Sequence, residues 1–277
     1  MIFRKRTIPD EEIMTLKEQR SMLGDQLNFA AAEAYKLLRA NLTFSLPDEQ
    51  KCRVVGVTSA VRGEGKSTTS INLAYTLAET GKRVLLVEAD MRRPQLAHRL
   101  AIDAAPGLSN LLAGLCREKD VVQDVGLLEN MKVITSGDVP PNPSELLGSE
   151  RMSTVVETLA RSFDFIIFDL PPVNAVSDGL VVSRFIQGMI VVVRQDYSDR
   201  QGLSAALRQL EYMHIKVLGF VMTHSSISGG RYGRYGRYGR YGRYGQYGRY
   251  ESESRETGAD QERARKTGSA KSRKSKR

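Results

Sequence analysis

The residues best suited to chemistry begin with Gly63, Glu64, Gly65, Lys66, Ser67 and Thr68, which follow the apolar run RVVGVTS and the small residue Ala60. Glycines let a backbone fold tightly around an anion, and the N–H groups at the start of a following helix point at it. In that setting Lys66 is expected to reach the β- and γ-phosphates of a nucleotide, and Ser67 to offer its hydroxyl to Mg²⁺. A glycine-rich turn without ligand is the plainer reading, but strand, loop, Lys-Ser and helix all occur here in order. Two later apolar runs end in carboxylates, VLLVEAD at Glu88 and Asp90 and FIIFD at Asp169. A carboxylate at the C-terminal end of a parallel strand faces the crevice where ligands bind. Asp169 is thus expected to serve Mg²⁺ directly or through water. Glu88 and Asp90 are expected to hold metal or to accept a proton from an incoming hydroxyl. Seven tyrosines, Tyr232, Tyr235, Tyr238, Tyr241, Tyr244, Tyr247 and Tyr250, recur at a spacing of three. A phosphate-donor site and a row of hydroxyl acceptors on one chain predict phosphoryl transfer from ATP to the chain's own tail.

Elements must position these groups. Apolar runs at Val54–Thr58, Val84–Val87, Lys132–Thr135, Phe165–Phe168, Met189–Val193 and Val217–Met222 read as buried strands. Amphipathic stretches at Ser67–Glu79, Ser144–Ala160 and Arg200–Met213 lie between them, and residues 28–44 show helical spacing. The alternation predicts an α/β fold: a P-loop NTPase-like, mostly parallel sheet with helices on both faces. Pro140 to Pro143 predict a stiff loop, with Ser144 as the cap of the next helix. The organisation expected is an arm over 1–27, a kinase-like domain over 28–227 and a disordered basic tail over 228–277.

Charge divides at the same boundary. Residues 231–277 carry 15 Lys and Arg against 5 Asp and Glu, a net of +10. The other 230 residues therefore carry 26 basic and 27 acidic, a net of −1. The basic character belongs to the tail. Cys52 and Cys116 lie apart, which fits neither a metal site nor a disulfide pair. No apolar run approaches the ~18 residues of a membrane span, and the basic start lacks the apolar core of a secretory signal. A cytoplasmic protein is expected, with membrane attachment supplied by a partner. His98, His214 and His224 have no partners at ligand spacing and read as surface residues. Tyr35, Tyr75, Tyr197 and Tyr212 read as packing residues of ordered elements.

In combination, the loop ending GEGKS, the strand ending EADMR, the strand ending DLPP, the PPNPSELL stretch and the tyrosine-rich tail resemble the bacterial tyrosine kinases of capsule and exopolysaccharide synthesis. The likeness is closest to their stand-alone cytoplasmic type, and it covers about residues 28–250. The family pattern DxDxR has Glu88 in its first place here, one methylene longer. Its ExxRxxR helix is matched by Glu33, Lys36 and Arg39, with Lys in the first Arg place. The resemblance implies a ring-like homo-oligomer that feeds one subunit's tail into its neighbour's site through contacts at these three residues. It also implies a membrane-spanning, co-polymerase-like activator that recruits the chain to the inner face of the membrane, a cognate tyrosine phosphatase, and no obligatory nucleic acid.

Three other readings compete. A switch-type ATPase that positions DNA or other cargo would usually carry KGGxGK, but Val61 occupies the place of that first lysine. Under that reading the basic tail would bind nucleic acid. A non-catalytic scaffold would bind ATP and leave no phosphotyrosine. A collagen-like tail is opposed by the absence of proline after residue 228.

Overall fold

The computed structural model describes residues 22–46 and 51–225. The expected arm, the expected disordered tail and all seven tail tyrosines lie outside these residues or reach only their margins. Among the described residues the chain runs α1 (Phe29–Ser45), β1 (Arg53–Ser59), α2 (Lys66–Ala78), β2 (Val84–Glu88), α3 (Leu96–Leu100), α4 (Leu108–Leu112), α5 (Glu118–Val121), β3 (Gln123–Asp124) and β4 (Met131–Ile134). It continues through α6 (Pro143–Leu147), α7 (Glu150–Ala160), β5 (Phe165–Asp169), α8 (Asp178–Val182), β6 (Met189–Arg194), α9 (Arg200–Tyr212) and β7 (Val217–Thr223).

The strands form one sheet in the order β3-β4-β2-β5-β1-β6-β7. Every pairing is parallel except the short antiparallel β3–β4 contact. β2, β5 and all of β1 after Arg53 are buried without interruption, as strands covered on both faces must be. Successive side chains leave opposite faces, so two apolar clusters form. Val55 and Val57 join Ile71, Leu73 and Leu77 of α2 in one cluster. Ile166 and Phe168 join Met152 and Leu159 of α7 and Leu210 of α9 in the other. Each fully buried side chain of this size stabilises by roughly 1.5–3 kcal/mol.

Register then aligns the chemistry. Asp169 at the end of β5 sits opposite Val57 of β1 and Glu88 of β2. The loops after β1, β2 and β5 therefore meet at one end of the sheet.

Three expectations need correction. The stretch Ser144–Ala160 is two helices, because Ser149 caps a new start at Glu150 by accepting the Met152 N–H. Ser144 is not a cap: α6 starts behind Asn142, with Pro143 in its first turn. Tyr197 and Tyr212 are 53% and 83% exposed, so only Tyr75 packs in the core as expected. Among the described residues no helix is long and apolar enough to cross a membrane.

Candidate active site

The loop between β1 and α2 is shaped by its two glycines and by what surrounds them. Gly63 and Gly65 have φ of +79° and +93°, the left-handed region where side chains are strained. A Cβ at Gly65 would also stand 3.1 Å from Cγ2 of Thr223. Both loop carbonyls are tied back to the far strands. Arg194 Nη1 donates to the Gly63 carbonyl at 3.1 Å, and Thr223 Oγ1 donates to the Glu64 carbonyl at 2.7 Å. In a trans peptide the C=O and the following N–H point in opposite directions. The Glu64 and Gly65 N–H groups are thereby turned away from β6 and β7, into the concave side of the loop. Gly65 offers no side-chain cap to α2, so the helix's first N–H groups stay open to a ligand.

Glu64 was expected among the phosphate-binding residues. Its carboxylate is fully buried and accepts the Val61 N–H at 2.9 Å and the Ser198 hydroxyl. It braces the loop, and only its backbone can serve a phosphate.

Lys66 leads to the carboxylates. Its Nζ lies 3.0 Å from Asp90 Oδ2 and 3.9 Å from Asp169 Oδ1. Burial alone would lower the Lys66 pKa, but Asp169 and Asp90 outweigh it and raise it, so the ammonium persists. Burial pushes the Asp169 carboxyl above its usual range against the pull of Lys66 and of hydrogen bonds from Ser67 and Ser70. Ser70 Oγ donates to Asp169 Oδ1 at 3.1 Å, whereas Oδ2 is buried without any hydrogen-bond partner. An orphaned buried carboxylate oxygen beside a serine hydroxyl is the feature a cation would satisfy. Among the described residues no group of three or more His, Cys, Asp or Glu forms a metal cage. That donor set suits Mg²⁺, which binds through one or two carboxylates plus phosphates and water. Ser67 and Asp169 fit such a cation, and the open loop N–H groups fit a triphosphate.

Glu88 behaves differently from its neighbour. Its Oε1 accepts the N–H groups of Gln95 and of Leu96, the latter at 2.7 Å, and Oε2 accepts the Ser136 N–H at 3.1 Å. Burial raises its pKa, while these backbone bonds oppose the rise. Both oxygens are committed to structure, which sets them against the expected role in metal binding or proton transfer. Asp90 is the freer group: Oδ1 accepts the Arg93 N–H at 3.1 Å, and Oδ2 has only Lys66 as a named partner. The expected oligomer contacts are also engaged within the chain. Lys36 pairs with Glu33 at 2.8 Å, and Arg39 Nη1 donates to the Thr76 carbonyl at 2.6 Å.

The family described as AAA domain matches residues 52–218. The tyrosine-protein kinase YwqD of Bacillus subtilis is 34% identical over 197 residues, covering 71% of this chain and 82% of that protein. The chain is a member of the bacterial tyrosine kinase family. Among solved structures, the chimerical protein CapA2B2 superposes with a TM-score of 0.69 at 31% identity, covering 74% of this chain and 89% of that one. The kinase domain of the Escherichia coli tyrosine kinase ETK gives 0.68 at 30% identity, covering 81% and 85%.

This member of the bacterial tyrosine kinases carries a further network that sequence reasoning missed. Asp178 at the start of α8 is fully buried and accepts Arg92 Nε at 2.7 Å and Nη2 at 3.2 Å. It also accepts the Ser144 hydroxyl. The loops after β2, β4 and β5 are thereby tied together around one carboxylate. Arg92 and Ser144 stood out in their motifs, but no spacing links either of them to Asp178.

Proposed function

We propose that the chain is an ATP-dependent protein tyrosine kinase that phosphorylates the Tyr232–Tyr250 cluster of a second copy, and that this regulates capsular or exopolysaccharide synthesis or export. The observation that carries the reading is Lys66 at the loop end, bridging Asp90 and Asp169, on the same chain as seven evenly spaced tyrosines. Kinship with proteins named tyrosine-protein kinases supports the same reading.

Bound MgATP would supply the phosphoryl group and neutralise the charge that develops on it. The chain's own residues do the rest. The N–H groups of Gly63 to Thr68 would hold phosphate oxygens, and Ser67 and Asp169 would hold the cation. Lys66 leaves Asp90 for the phosphates, which frees Asp90 Oδ2. A tyrosine of pKa about 10 arrives protonated. Its phenol oxygen forms the new bond to the γ-phosphorus as the bond to the ADP oxygen breaks, and Asp90 takes its proton. Glu88, with both oxygens bonded to backbone, leaves this role to Asp90.

The likeness to a chimerical CapA2B2 protein supports a membrane-anchored activator as partner, with recruitment to the membrane's inner face. Homo-oligomerisation and an opposing phosphatase complete the proposal. The test incubates purified chain with Mg-ATP, with and without Lys66→Met, read by phosphotyrosine blot and mass spectrometry of the tail. A parallel sample carries the activator's cytoplasmic segment fused to the chain. Lys66-dependent phosphate on the tail in either form is expected. ATP hydrolysis without phosphotyrosine in both forms would favour a switch-type ATPase instead.

A further inference from the structure

Arg99 is a second cation behind the phosphate loop that none of the motifs includes. It sits near the end of the five-residue helix α3, and its Nη1 donates to Thr68 Oγ1 at 3.2 Å. Its Nε is buried with no hydrogen-bond partner. Burial lowers its pKa while Asp169 and Glu88 raise it, so it lies within electrostatic reach of the carboxylates of the site. Leaving a guanidinium half-buried with one N–H unsatisfied costs free energy, and a residue held that way calls for a reason.

We infer that Arg99 is a positioning residue of the nucleotide site, acting through the Thr68 hydroxyl. This inference rests on the nucleotide-binding part of the kinase reading. A hydroxyl has one proton and two lone pairs. Guanidinium has no lone pair to accept with, so Arg99 can only donate to Thr68. With one lone pair taken by Arg99, the Thr68 proton must point elsewhere, and Thr68 lies in the first turn of α2, where the open N–H groups would meet an anion. The contact thus narrows the hydroxyl's rotation and biases it to donate away from Arg99.

Glu88 explains how Arg99 is held. Its Oε1 accepts the N–H groups of Gln95 and Leu96, the two residues that open α3. The end of β2 thereby anchors the helix that carries Arg99. The other wall beside Arg99 is a cavity of about 240 Å³, also lined by Leu23, Asp25, Gln26 and Leu127.

The test is a double-mutant cycle on the full chain, reading the Kd of Mg-ADP by calorimetry, with Tm as the check on folding. Arg99→Gln and Thr68→Val are each expected to weaken binding about tenfold, the scale of one hydrogen bond involving a charged group. The double variant should bind no more weakly than Thr68→Val alone, within about twofold. Arg99→Lys, which keeps the charge and a donor, should recover part of the loss and still reports if the glutamine variant fails to fold. An Arg99→Gln chain that binds Mg-ADP as tightly as the parent overturns the inference. So do single losses that simply multiply in the double variant, which would mean that Arg99 acts without Thr68. Binding is read apart from phosphotyrosine, so a chain that binds Mg-ADP with this pattern yet phosphorylates nothing sinks the kinase reading alone.

Discussion

Two carboxylates at the end of one strand do different work here because their partners differ. Glu88 is tied to three backbone N–H groups, whereas Asp90 Oδ2 faces Lys66. Asp90→Asn should therefore lower kcat for tail phosphorylation by about 10²–10⁴-fold, the usual contribution of general acid–base catalysis, with little change in Tm. Glu88→Ala should do the reverse in first effect, destabilising the chain by about 1–3 kcal/mol as buried N–H groups lose their acceptor. Paired kinetics and melting curves check both, and equal loss of Tm in the two variants would refute the division. The buried carboxyls also give a pH dependence. Asp169 and Glu88 both have pKa values raised in the folded chain, with burial the largest cause. A raised carboxyl binds its proton more tightly when folded, so its stabilising effect is full below the unfolded value and lost as pH rises through the folded one. The ligand-free protein should melt higher at pH 5 than at pH 7.5, and Asp169→Asn should flatten that slope. Asp164 and Asp120, with pKa values lowered chiefly by hydrogen bonds from Arg83 and Arg117, act in the opposite sense but below pH 3.8, outside this window.

At the scale of elements, the phosphate loop keeps its form because β6 and β7 hold it from behind. Thr223→Val keeps the shape of the side chain and deletes the hydroxyl that restrains the Glu64 carbonyl. The loop peptide is then free to turn its N–H away. We expect Mg-ADP affinity to fall about three- to tenfold with Tm nearly unchanged, the scale of a single hydrogen bond; unchanged affinity would show that the loop holds itself. Thr223 also shows what could and could not be read beforehand. The run Val217–Met222 was legible as a strand from its apolar content, and β1, β2 and β5 were legible to within a residue at each end. That their C-terminal carboxylates gather at one end of the sheet was legible, because parallel strands put their ends on one side. That Thr223 would meet Glu64, 159 positions away, depends on which strands become neighbours. Apolar runs do not encode that order. The two-helix break at Gly148 and Ser149 was hidden for a different reason: the apolar spacing continues across it, and only a capping serine marks the new start. β3, at two residues, is too short to have a period. For Glu88 the residue type gives a charge, while the three N–H groups that hold it are set by the fold and by no spacing in the sequence.

For the whole molecule the separation of charge is the property most open to regulation. The tail's net of +10 faces a remainder of −1. Each phosphate adds about −1.5 to −2 at neutral pH, so phosphorylating all seven tyrosines adds roughly −10 to −14. The tail's charge thereby passes from strongly basic to neutral or acidic. Successive tyrosines would stand roughly 10 Å apart in an extended chain, and every interval between them holds a glycine. Five of the seven tyrosines share the surroundings Arg-Tyr-Gly, while Tyr247 follows Gln246 and Tyr250 precedes Glu251. The expected consequence is graded: in the proposed assembly, attraction between a basic tail and carboxylates of a neighbouring copy should weaken with each phosphate added and likewise in high salt, where such attraction is screened. Light scattering on chains carrying one, three, five or seven Tyr→Phe changes, each after incubation with Mg-ATP, reads this directly. A smooth dependence of oligomer mass on the number of remaining tyrosines supports control by bulk charge. If one Tyr→Phe change alone blocks dissociation as completely as all seven, a specific docked phosphotyrosine is the switch, and bulk charge is not.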